Sequence, residues 1–378
     1  MHDAAVAALH HAVVAGAALA LVALAVALFL LWRKRRASAA AAADGVPVEA
    51  AAATTPAAAP LPSVPLADVE RATDGFHPSR VIGRGRHFAV YAAAAEQGPG
   101  LAAKRMHPHL VLGDPGGRRF PAAAVRSLAV PPHPNLAALV GVSEGPGERV
   151  LLVERAPAGS VGLDRLLLAA GEDGAPMPWR HRAAVAAGAA RGLAHLHVHG
   201  VAHGRVRPCN VLVSFAAGDA AAVLTDYGLA GFLDGADASS AEGDVYMFGV
   251  VLLELLTRRR WDGGRLADWA LPRIRAGAAA AAEVLDVAPA DKAEARLLAR
   301  VARVALACVG NDGRSRPRMA EVAAILSDVE AAYRRRDGDD DEVDDGGDGD
   351  GDEGRLSGCL LGPSRSVRKA DMLLRPPV

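Results

Sequence analysis

The sequence predicts an α+β domain placed between a membrane-spanning helix and an acidic, disordered tail. Three observations carry this reading. An uninterrupted run of 21 apolar or small residues extends from Ala12 to Trp32. In the middle of the chain, two apolar strand-like segments, Val211 to Val213 and Ala222 to Thr225, each adjoin polar groups that a packed core would not choose, while the stretch opening at Trp179 has the Ala and Leu spacing of a buried helix. Near the end, 11 of the 18 residues from Asp337 to Gly354 are acidic. With 378 residues and 51% apolar content there is material for one large domain or two smaller ones. The formal charge of −1 looks neutral only because opposite charges are kept in separate blocks.

Residues 1–11 read as a short extracellular N-terminus. The run 12–32 covers the roughly 30 Å of a bilayer core at helical rise. Arg33, Lys34, Arg35 and Arg36 follow at once, with Trp32 where an interfacial aromatic sits, so the basic side is expected to stay cytoplasmic. A cleaved signal peptide competes with this reading. The length of the run, the absence of Lys or Arg before it and the basic cluster behind it argue against that alternative. Residues 33–65 read as a basic stop-transfer cluster followed by a flexible Ala/Pro-rich juxtamembrane linker. Cys209, Cys308 and Cys359 have neither metal-ligand nor paired spacing and read as reduced thiols that pack as small residues.

The stretch from Val201 to Gly228 organises the rest. His203, Arg205 and Asn210 stand before or at the edge of the first strand-like segment, and Asp226 and Gly228 follow the second. That order resembles the catalytic loop and metal-binding turn of the protein kinases, H-R-D-x-x-x-x-N and D-F-G, without a gap. The resemblance implies metal binding by Asn210 and Asp226, a packed core role for His203, and a proton acceptor at the position of Arg205. A guanidinium stays protonated and has no lone pair to offer, so Arg205 is read as catalytically inactive. Gly204 stands where the family has Arg.

Other segments fall in the family's order. L-A-D-V-E-R-A-T-D-G-F is similar to the helical lead-in of plant receptor-like kinases. Gly83, Gly85 and Val90 match the glycine-rich loop over the nucleotide, although Phe88 replaces its third glycine. Taken alone, those residues fit an ordinary hairpin turn. Lys104 in L-A-A-K matches the ATP lysine, while the helix Glu that would hold it falls on Ala124. Glu154 to Ala156 resemble the hinge that holds adenine, and Leu212 is assigned to the nucleotide site. Asp244 in D-V-Y-M-F-G matches the residue that holds the backbone of the catalytic loop.

Only 15 residues separate Gly228 from Asp244, where the family has a longer activation segment ending in A-P-E. Arg316, which pairs with that Glu in the family, is expected to lack its partner. Ser239 and Ser240 are candidate phosphorylation sites, but the Arg that would read such a phosphate is replaced by Gly204. The acidic block is read as disordered; it lacks the flanking helices and terminal Glu of a calcium-binding EF-hand. Arg365, Arg368 and Lys369 would fold back on it or touch anionic lipid.

The resemblance implies a two-lobed protein-kinase fold over residues 66–336, with a small β-rich lobe over about 66–156, a helical lobe over about 157–336, and a disordered tail over 337–378. It looks closest to the lectin-type receptor kinases, with no ectodomain present. The expected function is that of a single-pass plasma-membrane pseudokinase with a cytosolic kinase domain, binding ATP and Mg2+ and acting through another receptor or kinase, with no nucleic-acid role. Two alternatives stand beside it: an active serine/threonine kinase, and a nucleotide-independent membrane scaffold in which Phe88 closes the pocket.

Overall fold

A computed structural model describes residues 59–94, 100–112, 122–169, 176–216, 218–233, 240–310 and 312–341. The apolar run 12–32, the basic cluster, Ser239, Cys359 and the tail beyond Asp341 lie outside the described residues. Among the described residues, no helix is long and apolar enough to cross a membrane.

The smaller lobe is an antiparallel sheet of β1 (Val81–Arg84), β2 (Phe88–Ala93), β3 (Leu101–Met106), β4 (Leu139–Gly145) and β5 (Glu148–Glu154), in the order β1-β2-β3-β5-β4. Alternation of side chains along β2 sends Ala89 and Tyr91 to one face, where they pack with Val69, Phe76 and Val150. Phe88 goes to the other face and packs with Met106, Val125 and Leu151. Both faces are thus covered.

Residues expected to belong to the flexible linker are part of this lobe. Leu61 is buried, and its N–H donates to the Arg126 carbonyl at 2.9 Å. The Val64 N–H reaches the Val142 carbonyl at 2.8 Å, and Ser63 forms a parallel bridge with Val142 on the edge strand β4. An exposed edge presents unpaired N–H and C=O groups, and this segment satisfies some of them. The Ala/Pro-rich composition concealed the docking because only Leu61 and the partly buried Val64 anchor it.

The larger lobe is built on the helices Trp179–Val198, Ala241–Thr257, Lys292–Gly310 and Met319–Asp341. Their buried faces share one core with a small antiparallel sheet of β6 (Val161–Gly162), β7 (Val211–Ala216) and β8 (Asp219–Leu224). Arg182 is buried there, and its guanidinium donates to the Leu255 carbonyl and to both carboxylate oxygens of Asp286 at 2.5 and 2.8 Å. Cys308 is buried in this core, and its thiol is pushed up to about 12 by that burial. Cys209, by contrast, is exposed, so the packing role expected of it does not hold. The final helix continues to Asp341, beyond the expected boundary at Arg336. Helix propagation from a packed segment needs only one hydrogen bond per added residue, so an acidic start to the tail does not stop it at once.

The lobes are joined through the segment H-P-N-L, His133 to Leu136. The Asn135 side-chain amide donates to the Ala222 carbonyl at 2.8 Å, and the Ala137 N–H donates to the Leu224 carbonyl at 2.8 Å. Gly192 makes room for this crossing, because a Cβ there would lie 2.6 Å from the Asn135 carbonyl oxygen.

Candidate active site

The site is assembled from the loop before β7, the turn after β8 and strand β3. Asp244, in the first turn of the helix Ala241–Thr257, is buried and holds the loop by its backbone. Its two carboxylate oxygens accept the N–H groups of His203 and Gly204, each at 2.7 Å, and the His197 ring nitrogen Nε2 lies 2.9 Å away. His203 is fully buried, and its Nδ1 accepts the Arg205 N–H at 3.2 Å. That bond places the ring proton of neutral His203 on Nε2. Burial is the main cause that lowers the affinity of this ring for a second proton.

The β7–β8 hairpin brings Asn210 and Asp226 together. Val211 pairs with Leu224, so the residues just outside the pair sit side by side, and the Thr225 N–H donates to the Asn210 carbonyl at 3.0 Å. The Asn210 amide nitrogen is turned back to the Arg205 carbonyl at 2.8 Å. Asp226 has a left-handed φ of 65°. Gly228, at φ 71°, gives its N–H to the His203 carbonyl at 3.0 Å, and a Cβ there would strike the Leu128 side chain. Tyr227 between them is buried, its hydroxyl accepts the Leu139 N–H at 3.1 Å, and burial pushes it up to about 12.

Lys104 is buried on β3, and its ammonium contacts the Asp226 carboxylate and donates to the Thr225 hydroxyl at 2.8 Å. Ala124, in the short helix Ala122–Arg126, supplies no carboxylate. The lysine therefore pairs directly with the aspartate of the turn. Burial pushes the Asp226 carboxyl upward, but the charge and hydrogen bond of Lys104, with the charge of Arg205 added, outweigh it and hold the group below the ordinary carboxylate range.

Above Lys104 lies the turn between β1 and β2. Gly83 pairs with Val90, and Val90 pairs with Lys104 on the same face. Phe88, at the place of the third glycine, is buried opposite Met106. The hinge is anchored on both sides, with the Glu154 N–H on the Ala138 carbonyl at 2.8 Å and the Arg155 N–H on the Gly100 carbonyl at 3.0 Å. Ala156 follows and is partly buried, and Leu212 is a partly buried residue of β7.

Arg205 extends toward the glycine-rich turn, where its Nη1 lies 3.3 Å from Nδ1 of His87. His87 and Thr225 were not singled out from the sequence. Thr225 adjoins Asp226, so its position is the signal that points to it. His87 contacts a residue 118 positions away, and no local pattern marks that contact.

A magnesium ion requires near-octahedral oxygen coordination. Here one oxygen of Asp226 is taken by Lys104, the Asn210 amide leaves only its neutral oxygen, and the charge of Arg205 acts on the same carboxylate. Among the described residues, no group of three or more His, Cys, Asp or Glu side chains is placed to hold a metal. The protein would supply one carboxylate oxygen of Asp226 and the amide oxygen of Asn210, with phosphate oxygens and water left to complete a divalent cation's shell.

Below the loop, Gly204, Asp244, Tyr246, Met247 and Arg316 line a cavity of about 310 Å³. Arg316 donates to the backbone carbonyl of Glu242 at 2.9 Å and stacks over Tyr246. Among the described residues it has no carboxylate partner. Ser240 caps the adjoining helix by accepting the Gly243 N–H at 3.0 Å.

A five-stranded sheet over a helical lobe, with lysine, asparagine and aspartate converging at the seam, defines the protein kinase class. The protein kinase domain family matches residues 76–244. Those residues form a protein kinase domain, and the chain is similar to plant receptor kinases. It is 33% identical over 311 residues to the leucine-rich repeat receptor protein kinase MSL1 of Oryza sativa subsp. japonica, covering 71% of this chain and 21% of that protein. It is 32% identical over 307 residues to the probable inactive leucine-rich repeat receptor kinase XIAO of the same organism, covering 70% of this chain and 26% of the relative. Among solved structures, the pseudokinase domain of BIR2, an immune regulator of the RLK/Pelle family, superposes with a TM-score of 0.52 and 26% identity, over 73% of this chain and 90% of that one. The chain thus spans about a fifth to a quarter of the length of these curated relatives. Both are of the leucine-rich repeat type, whereas the expected likeness was to the lectin-type receptor kinases.

Proposed function

We propose that this chain is a membrane-anchored receptor-like kinase homologue with a cytosolic kinase domain that does not transfer phosphate. It signals by binding another receptor or kinase in a nucleotide- or conformation-dependent way. The observation that carries this reading is Arg205, a permanent cation at the place where the family has its proton acceptor. The pairing of Lys104 with Asp226 adds support, because the lysine lacks a helix Glu to hold it toward phosphates and the metal-binding carboxylate is engaged. Likeness to a relative named a probable inactive receptor kinase and to a pseudokinase domain points the same way.

Incubating the full chain with ATP, Mg2+ and a general acceptor protein tests the reading. Phosphate incorporation is expected at the level of the Lys104→Ala variant. Incorporation that vanishes in Lys104→Ala and Asp226→Ala would overturn it.

A further inference from the structure

Past the helix Ala241–Thr257, far from the candidate active site in sequence, the run Arg258-Arg259-Arg260-Trp261 forms a loop with a firmly held backbone. Arg258 takes a left-handed φ of 51° and returns its N–H to the Glu254 carbonyl at 2.8 Å, which ends the helix. The Thr257 hydroxyl accepts the Arg259 N–H at 3.0 Å, and the Glu254 carboxylate accepts the Trp261 N–H at 2.5 Å. Asp262 accepts the Leu266 N–H at 3.0 Å, near the start of the helix Arg265–Arg275. The acidic groups of the loop are thus engaged with backbone donors. Arg258 lies 3.5 Å from Asp286. Arg259, stacked on Trp269, and Arg260 and Arg265 are exposed, and none of the three forms an ion pair among the described residues. Trp261 keeps 41% of its surface open beside them. Arginine and tryptophan are the residues in which the buried parts of interfaces are enriched.

The acidic block leaves the domain near this loop. Close to the end of the final helix, Arg336 holds Asp291 at 2.5 and 3.2 Å. Asp291 is five residues from Asp286, the carboxylate that Arg258 shares with Arg182, a separation of at most about 18 Å of chain. Beyond Asp341, 7 of the 13 residues to Gly354 are acidic. Thirteen residues reach about 45 Å when extended.

We propose that the acidic block 342–354 lies back along the loop of Arg259, Arg260, Trp261 and Arg265, covering it within the same chain. A single exposed ion pair is weak and screened by salt. Here several carboxylates meet three cations on one tether, so the contact is intramolecular and the pairs act together. Pairing also relieves the repulsion of the block for itself. Arg365, Arg368 and Lys369 compete for the same carboxylates. The loop has the advantage that its backbone is already fixed, so only one of the two segments is ordered on contact. An outside anionic surface, protein or lipid, reaches the loop only by displacing the block. None of this depends on whether the domain transfers phosphate.

The test uses the full chain and a zero-length carbodiimide, which joins a carboxylate to an amine. Arg260→Lys and Arg265→Lys place amines on the loop at two exposed positions, so the fold is left alone. Peptide mapping is expected to find amide links within one chain from positions 260 or 265 to the carboxylates of 342–353. Most of these links should be lost at 1 M salt, where the screening length falls to about 3 Å. A second measurement leaves the arginines in place: iodide quenching of the fluorescence that Trp261→Phe removes. Changing the seven acidic residues of the block to Asn and Gln should raise that quenching about twofold or more, because the anion is no longer repelled from the indole. Links confined to Lys292 at the root of the block or to Lys369 beyond it, or formed only between chains, would overturn the proposal. So would quenching that the neutral block leaves unchanged, which would mean that the loop stands open to an outside anion.

Discussion

Two aspartates, Asp244 and Asp226, stand at opposite ends of the same loop and meet opposite fates. Asp244 is almost fully enclosed, with two backbone N–H groups and a histidine ring satisfying its oxygens. Asp226 keeps 27% of its side chain exposed and is held by the ammonium of Lys104. The first is a structural clamp with nothing left to bind; the second faces the seam where chemistry would occur. Around Asp244 the family's clamp on the loop backbone is in place, although Gly204 stands where the family has Arg. Around Asp226, Arg205 and Ala124 stand at the places of the family's proton acceptor and helix Glu, and the carboxylate is paired with Lys104. The parts that shape the catalytic loop also hold the core together, so their retention does not depend on which residue stands at position 205.

Substitutions should separate the two ends by size of effect. The largest loss is expected from Asp244→Ala, which strands the His203 and Gly204 N–H groups in a buried loop; at about 1–3 kcal/mol for each orphaned donor, chemical denaturation should register roughly 3 kcal/mol or more. Gly192→Ala should follow at about 1–3 kcal/mol, since its methyl meets the Asn135 carbonyl where the lobes cross. An unchanged stability in that variant would mean that the crossing yields easily. Tyr227→Phe restores the family's residue but removes the acceptor for the Leu139 N–H, and a loss of about 1 kcal/mol is expected in the same assay.

The smallest effect is a pH dependence of the frame. His203 is held neutral by burial, and His133 is likewise lowered from the ordinary 6.5, chiefly by burial. Below 6.5 the unfolded chain binds protons that the folded chain refuses, so stability falls as pH falls. The thermal midpoint should drop as the pH is lowered from above 6.5 toward 5, and a neutral His203→Gln variant, whatever its stability, should show a shallower slope. A slope that His203→Gln leaves unchanged would assign the effect elsewhere.

Much of this was legible in the chain itself, and the reason differs by residue. Lys104, Asn210, Asp226 and Asp244 stand in a fixed order between strand-like and helical segments, so their positions in the fold followed from sequence. The fold then brings Lys104 into contact with a residue 122 positions away. What the sequence did not reveal was where Lys104 would turn once Ala124 offered it nothing, because that depends on which carboxylate lies within reach in space. His87 was invisible for the same reason: it lies in a turn whose glycines drew attention, and its partner is on the other lobe. Leu61 docks on an edge strand whose exposure is set by sheet order, and no periodicity in an Ala/Pro-rich stretch announces that. The final helix outran its expected end because packing of residues such as Tyr333 carries it forward.

The central claim is that a guanidinium has taken the seat of a proton acceptor in a scaffold that otherwise still folds as a kinase. Its most direct test is single-turnover release or transfer of labelled γ-phosphate by the full chain at saturating ATP with Mg2+, run beside Lys104→Ala. The account predicts superimposable time courses at background level. A burst of labelled product in the wild-type chain that Lys104→Ala abolishes would contradict it.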